Sequence, residues 1–270
     1  GVPVASGDRK SSYPQWGKGA VEQKCTGRRP NPPGKPAVPL LSVPGGAVVH
    51  FAVSNSGVRM CTHLEGAHSR FLPFNQGNHG GAGNPDTTAY LWREVWQPDS
   101  WLDILGRYVI AVKKKGKISG WIFPRYHQLA ATRLLVSTIL EEGPGQRYLI
   151  QHSAGSGKTN SIAWTAHFLS DLHDVHNHKL FDTVIVVPDR TVLDRQLSET
   201  IESFERTRGV VASISGNGGS KSQELAAALH TGKKIILCTI QSFPFALKDI
   251  RQLPELGRAS WRVRAQVSVD

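Results

Sequence analysis

Three textures of apolar and polar positions follow one another along the chain. Over residues 1–46 no apolar period is sustained, and Pro30-Asn31-Pro32-Pro33-Gly34 interrupts what there is. The stretch holds eight of the 16 prolines and eight of the 27 glycines, so it buries too little surface to offset its chain entropy, and little ordered structure is expected there. From Ala47 the pattern changes. The runs Ala47-Val48-Val49-His50-Phe51-Ala52-Val53 and Val58-Arg59-Met60-Cys61-Thr62 flank Ser54-Asn55-Ser56-Gly57 and predict a hairpin. A Gly/Asn-rich loop over 75–84 leads to an aromatic stretch with Trp92, Trp96 and Trp101, where Asp99 or Ser100 can cap a short helix reaching about Tyr108. Lys113-Lys114-Lys115-Gly116-Lys117 then reads as an exposed linker.

The third texture alternates helix and strand. A helix is expected to start at Pro124, a residue suited to the first helical position, and to run to about Glu142. Strands are expected at Tyr148-Leu149-Ile150, Thr183–Val187, Val210–Ile214 and Lys234–Cys238, and helices over Lys158–Leu172, Leu193–Phe204 and Gln223–Leu229. Short, nearly continuous apolar strands between helices predict an α/β fold whose parallel sheet is covered on both faces.

Composition narrows the class. The chain has 270 residues, 39% hydrophobic and 20% charged, which suits one large domain or two small ones. No apolar run approaches the roughly 20 residues of a membrane span, and Gly1-Val2-Pro3-Val4 does not open a signal peptide. Cys25, Cys61 and Cys238 lie far apart with no CxxC pair and read as reduced thiols, so a cytoplasmic setting without membrane attachment is expected. The net charge is +11, but residues 1–45 carry seven Lys/Arg against two Asp/Glu, and residues 251–270 carry four against two. The tails therefore hold more than half of the excess, and charge alone argues only modestly for nucleic acid.

The strongest chemical signal is His152-Ser153-Ala154-Gly155-Ser156-Gly157-Lys158-Thr159, directly after an apolar strand and opening a helix. Gly155 and Gly157 let main-chain N–H groups approach phosphate oxygens, and the helix N-terminus adds partial positive charge at the same point. Lys158 can reach the β- and γ-phosphates, and the Thr159 hydroxyl can ligate Mg²⁺. Upstream, Gln128 in Phe123-Pro124-Arg125-Tyr126-His127-Gln128 can read adenine through N6 and N7 by a bidentate amide pairing. Two segments, Val186 through Gln196 around Arg190 and Cys238 through Phe243 around Thr239, leave strands and can hold a phosphodiester backbone. His173, His176 and His178 read as a solvated loop rather than a metal site. The three tryptophans are expected to pack a boundary between subdomains rather than to stack on bases.

Together these strings resemble superfamily 2 helicases and translocases, and above all the motor-and-nuclease (R) subunit of type I restriction–modification enzymes. The resemblance rests on Val49–Val53, Arg70–Asn75, Phe123–Gln128, Tyr148–Trp164, Asp189–Leu197 and Thr239–Phe245, and spans about residues 47–250. It implies a RecA-like P-loop domain over 121–250, preceded by the tail end of a small nuclease-type α/β domain over 47–112 and a linker over 113–120. Segments 1–46 and 251–270 lie outside it. It also implies ATP and Mg²⁺ as cofactors, held by Gln128 and Arg125 with Ser153, Ala154, Gly155, Ser156, Gly157, Lys158 and Thr159, the last carrying the metal through ATP. Arg190 and Thr239 would lie on the DNA track. The implied partners are DNA and the methyltransferase and specificity subunits of a restriction complex.

Catalytic residues are not among those expected. No Asp-Glu-Ala-His string follows Phe243, and residues 1–46 hold no apolar strand followed by Glu-x-Lys. With no initiating Met either, the chain reads as a fragment, expected to bind nucleotide without hydrolysing it or cutting DNA alone. Two readings stay open: the ATP-binding, DNA-translocating motor portion of a restriction R subunit, or a nucleotide- or DNA-binding module, or other superfamily 2 helicase fragment, that never turns over.

Overall fold

The computed structural model describes residues 5–9, 29–54, 57–76, 88–188, 191–207, 209–214, 220–239 and 265–269, with backbone alone at 8–9, 191–195 and 265–269. The chain divides into two compact units, Gly1–Leu129 and Ala130–Asp270.

The first unit is built on a mixed sheet ordered β1-β2-β3-β4. Its centre is β2 (Val49–Val53), buried at every position, as an apolar run without polar alternation requires. β3 (Val58–Cys61) returns antiparallel through the expected turn, where the Ser54 N–H donates to the Gly57 carbonyl at 2.9 Å, and β4 (Leu72–Pro73) extends the sheet. β1 (Ala5–Arg9) pairs parallel with β2, Ala5 opposite Val49 through Arg9 opposite Val53. The expectation of little order over residues 1–46 is corrected at this strand. It has no apolar alternation to announce it, and its order comes from main-chain pairing with the buried β2. Ser6 Oγ adds a hydrogen bond to His50 Nδ1 at 2.6 Å.

Phe51 of β2 is the hub of the first unit's aromatic core. Its ring lies 5.5 Å from both Phe74 and Trp96 in edge-on geometry, 5.9 Å from Phe123 and 6.4 Å from Trp101. Pairs of this kind contribute about 0.5–1.5 kcal/mol each beyond burial. Trp96 and Trp101 thus meet the aromatic core of the first unit at Phe51, Trp96 from its rim, where it is 37% exposed. Trp101 sits on α1 (Pro98–Asp103), which opens with proline at its first position behind Gln97 and runs into a wider helical segment over Ile104–Tyr108.

The expected linker is a second correction. Residues 113–120 belong to an antiparallel hairpin of β5 (Ile110–Lys114) and β6 (Lys117–Ile122), closed by Lys115 and Gly116 at φ +50° and +78°. Positive φ at both central residues gives the twist that two paired strands prefer.

α2 (Tyr126–Glu142) begins two residues after Pro124, not at it. The Gln128 side-chain oxygen accepts the Arg125 N–H at 2.8 Å, while the Arg125 carbonyl accepts the N–H groups of Gln128 and Leu129 at 3.0 Å each. That is the pattern of a helix cap at Arg125 with its partner three residues on, and it fixes the start of the helix.

In the second unit β7 (Gln146–Ile150) leads to α3 (Lys158–Ser170), and β8 (Val184–Val186) to α4 (Thr191–Ser203). β9 (Val211–Ser213), α5 (Lys221–His230) and β10 (Ile235–Leu237) follow. β8, β10 and β9 form a parallel sheet in that order, and β11 (Ala265–Val269) pairs parallel with β7. Val184 packs with Leu135, Ile139, Leu169, Leu172 and Phe181, whereas its neighbour Ile185 packs with Ile214, Leu225, Ile236 and Cys238. Successive strand residues point to opposite faces, so helices cover both sides of the sheet, as expected for a RecA-like α/β domain.

Ile139 is fully buried in α2, whereas Leu134 of the same helix is 68% exposed. Ile139→Ala should cost about 2–5 kcal/mol in urea unfolding. Leu134→Ala should stay within about 0.5 kcal/mol. Equal losses would show that α2 docks by a different face.

Candidate nucleotide-binding site

The sequence places a sharp turn between β7 and α3, and two glycines make it possible. Gly155 has φ +72°, and Gly157 at φ +85°, ψ +37° is the residue from which α3 springs. Both lie in the left-handed region, which costs other residues about 1–2 kcal/mol. The Gly157 carbonyl accepts the Asn160 N–H at 3.0 Å, so the helix ladder starts at once and its first N–H groups face the loop.

Residues Ser153, Ala154 and Gly155 are exposed, and a Cβ built at Gly155 would meet no atom within 4 Å. Ser156, by contrast, is buried beneath the turn, with the Ser156 N–H donating to the Ser153 carbonyl at 3.2 Å. Lys158 Nζ donates to the His152 carbonyl at 3.2 Å, which folds the ammonium back over the loop that precedes it. Thr159 follows, half-buried, in the first turn of α3. The residues fit a nucleotide phosphate chain: an open backbone turn, a helix N-terminus, one ammonium over the loop and one hydroxyl beside it. Thr159 is the side chain suited to a Mg²⁺ carried by that nucleotide.

The local electrostatics agree. Burial, and then the Lys158 ammonium, hold His152 below the ordinary histidine range. A neutral imidazole adds no charge of its own, so the cationic character of the loop comes from Lys158 and the helix end.

The structure brings Ser153 through Thr159 together and treats the other expected residues separately. Gln128 and Arg125 sit at the start of α2, and Gln128 is only 2% exposed. Their position is set by the aromatic core of the first unit. The Tyr126 ring lies 4.9 Å from Tyr90 and 5.7 Å from Phe74, and its hydroxyl donates to Glu94 Oε2 at 3.2 Å. The Gln128 carbonyl oxygen is engaged as the helix cap, a role the sequence did not announce. Thr239 follows β10 and is 4% exposed. Arg190 lies outside the described residues.

The histidine stretch is a tight loop. Asp174 Oδ1 accepts the N–H groups of His176 at 2.9 Å and His178 at 2.8 Å, and Asn177 takes φ +63°. Those hydrogen bonds, that of His178 foremost, hold the Asp174 carboxyl below its usual range. The other carboxylate oxygen, Oδ2, lies 3.4 Å from His178 Nδ1, and no group of three metal-binding side chains forms among the described residues. Among the same residues, no helix is long and apolar enough to cross a membrane.

Comparison with known families supplies the deciding observation. The family model of the SWI2/SNF2 ATPases matches residues 127–262, just over half of the chain, with the whole loop and α3 inside it. The chain belongs to the SWI2/SNF2 ATPase family. Its members are helicase-like ATPases of superfamily 2, so membership implies ATP as the nucleotide. The SWI2/SNF2 match also extends past residue 250, where the sequence resemblance stops. Comparison with curated proteins gives no match.

One residue of this domain escaped the sequence reading. His167, a turn from the end of α3, is half-buried, and its Nε2 lies 2.9 Å from the Ile201 carbonyl at the end of α4. A carbonyl only accepts, so Nε2 is the protonated nitrogen. Burial lowers the His167 pKa. The Ile201 carbonyl and Glu205 oppose that shift, and Arg206 reinforces it. A folded pKa below the ordinary 6.5 means that the unfolded chain takes up the proton more readily. His167 therefore stabilises the fold fully above about pH 6.5, and this contribution is lost as pH falls through the native pKa. Urea unfolding of wild type and His167→Gln, followed from about pH 7.5 to about pH 5.5, should show a smaller loss of stability in the variant. Identical pH profiles would remove His167 from that linkage.

Proposed function

We propose that the chain is the ATP-binding portion of the DNA-translocating motor in a type I restriction endonuclease R subunit. The observation that carries this reading is the loop Gln151-His152-Ser153-Ala154-Gly155-Ser156-Gly157-Lys158-Thr159, with left-handed glycines at 155 and 157 and α3 rising from Gly157. The string is the form that resembles restriction R subunits, and the SWI2/SNF2 membership supports the motor class to which they belong. Residues 47–112 would then be the tail end of a nuclease-type α/β domain. DNA, the methyltransferase subunit and the specificity subunit would be the partners.

In this reading the loop N–H groups and Lys158 bind and orient the phosphates, and Thr159 holds the metal that ATP brings. Gln128 and Arg125 would select adenine, and Arg190 and Thr239 would touch the DNA backbone. Turnover in this class needs an acidic motif that positions metal and water and an arginine from a second domain.

Calorimetric titration with MgATP and MgGTP tests the assignment. Wild type should prefer ATP, and Lys158→Ala should weaken ATP at least about tenfold, the equivalent of about 1.4 kcal/mol. Equal binding by wild type and Lys158→Ala would overturn the loop assignment. Equal affinity for ATP and GTP would leave Gln128 as a helix cap only. The restriction reading further expects Asp-Glu-Ala-His and Glu-x-Lys strings in the coding sequence flanking this chain. Their absence from every frame would separate the chain from that subunit.

A further inference from the structure

We propose that the β5–β6 hairpin is a contact point for the phosphate backbone of duplex DNA, separate from the candidate DNA track around Arg190 and Thr239. Lys113, Lys114, Lys115 and Lys117 occupy four of the five positions at its tip, and all four are exposed. Lys114 and Lys117 face each other across the strands, Lys113 faces Ile118, and the register shifts between Val112 and Lys113. Among the described residues none of the four ammonium groups has a carboxylate partner. Like charges opposite one another on a ribbon destabilise it, and nothing on the hairpin neutralises them.

The backbone makes the same point independently. Lys115 adopts φ +50°, where Asn, Asp or Gly would close the same turn at lower cost. A lysine there carries about 1 kcal/mol of strain that a different residue would avoid, which is accounted for if the charge is what matters. The base of the hairpin is firmly held: Ile110 and Phe123 are buried, and Ser119 Oγ donates to the Val112 carbonyl at 3.2 Å. The lysines are therefore presented on a fixed ribbon rather than a loose loop.

The hairpin also borders an open cleft of about 450 Å³. Ile118 and Ser119 of β6 are among the residues that line it. The cleft is also lined by Arg29 and by His63, which lies 3.1 Å from Glu65, so it is not uniformly basic.

The chemistry selects nucleic acid over protein. Lysine is depleted in the centre of protein interfaces, and residues 113–117 carry no aromatic or large apolar side chain to anchor one. Ammonium groups on flexible stems instead suit spaced phosphates, and a two-stranded ribbon matches a duplex major groove about 12 Å wide. Ammonium groups held to phosphate oxygens carry no sequence information, so the contact is indifferent to sequence. The choice of DNA as the polyanion rests on the motor reading above.

The test uses the full chain and a fluorescent duplex of arbitrary sequence, with anisotropy measured over a range of salt concentrations. Each neutralised phosphate contributes about −0.9 to the slope of log K against log salt. Replacing the four lysines with Gln should make the slope less negative by about 2–3 and weaken low-salt binding at least about tenfold, whereas replacing them with Arg should preserve both. Circular dichroism and ATP binding should be unchanged in both variants. An unchanged slope in the Gln variant overturns the proposal. Poly-glutamate bound more tightly than duplex through the same lysines would assign the surface to an acidic protein instead. Arg190→Ala separates this result from the motor reading: loss with Arg190→Ala alone overturns the hairpin, and loss with the Gln variant alone overturns the candidate track.

Discussion

A helix that offers its first N–H groups to an anion has to be held along the rest of its length. α3 meets that constraint, and much of the second unit is arranged around it. Ala163, Trp164, Ala166, Phe168 and Leu169 are buried, which leaves the helix little freedom to slide or rotate. Leu169 joins the core beneath β7 and β8, the Trp164 ring meets Phe204 at 5.2 Å, and His167 reaches Ile201. The last two contacts lie at the end of α4, whose exit is secured in turn: Glu205 Oε1 accepts the N–H groups of Val210 and Val211 at 2.6 and 3.0 Å, just before and at the start of β9. The loop at Gly155 and Gly157 is thus positioned by contacts well beyond it. A phosphate that binds there meets donors already oriented, so little ordering entropy opposes binding.

The parallel strands were legible because their chemistry is simple. β8 and β10 lie in runs of β-branched and aliphatic residues, a pattern that only a sheet covered on both faces explains. The loop was legible because two glycines, a lysine and a threonine between a strand and a helix leave few other uses. The helix start at Tyr126 was not legible, because Pro124 suits a first helical position while the Gln128 side chain accepts the Arg125 N–H and makes Arg125 the cap. The hairpin was hidden by its own lysines. A Lys-Gly turn carries a weaker signal than Asn-Gly, and the five exposed positions at the tip mask the apolar ends that anchor it. β1 gave no pattern at all, since its pairing is a property of the backbone.

β7 shows how far the second unit departs from a uniformly covered sheet. Tyr148 and Ile150 pack into the core with α2 and α3, but Leu149 between them is 67% exposed. Burying a leucine contributes about 1.5–3 kcal/mol, which β7 forgoes on that face. The side of the strand that meets α3 is complete, and that is the side which fixes the phosphate loop. Geometry at the loop therefore does not depend on what lies over Leu149.

The two candidate phosphate-binding features use opposite strategies, and the difference accounts for their different chemistry. At Gly155–Thr159 the donors are mainly backbone N–H groups, fixed by dihedral angles and by the start of a helix, with a single ammonium added. Such a cradle fits one phosphate chain in one orientation, and changing it means changing the backbone. At Lys113–Lys117 the backbone is rigid but the donors are side-chain ammonium groups on four-carbon stems. Each can follow a phosphate over several ångströms, so the surface tolerates a backbone that moves past it. A motor needs both kinds of contact: one that holds its fuel in a single geometry, and one that holds its track without fixing a position on it.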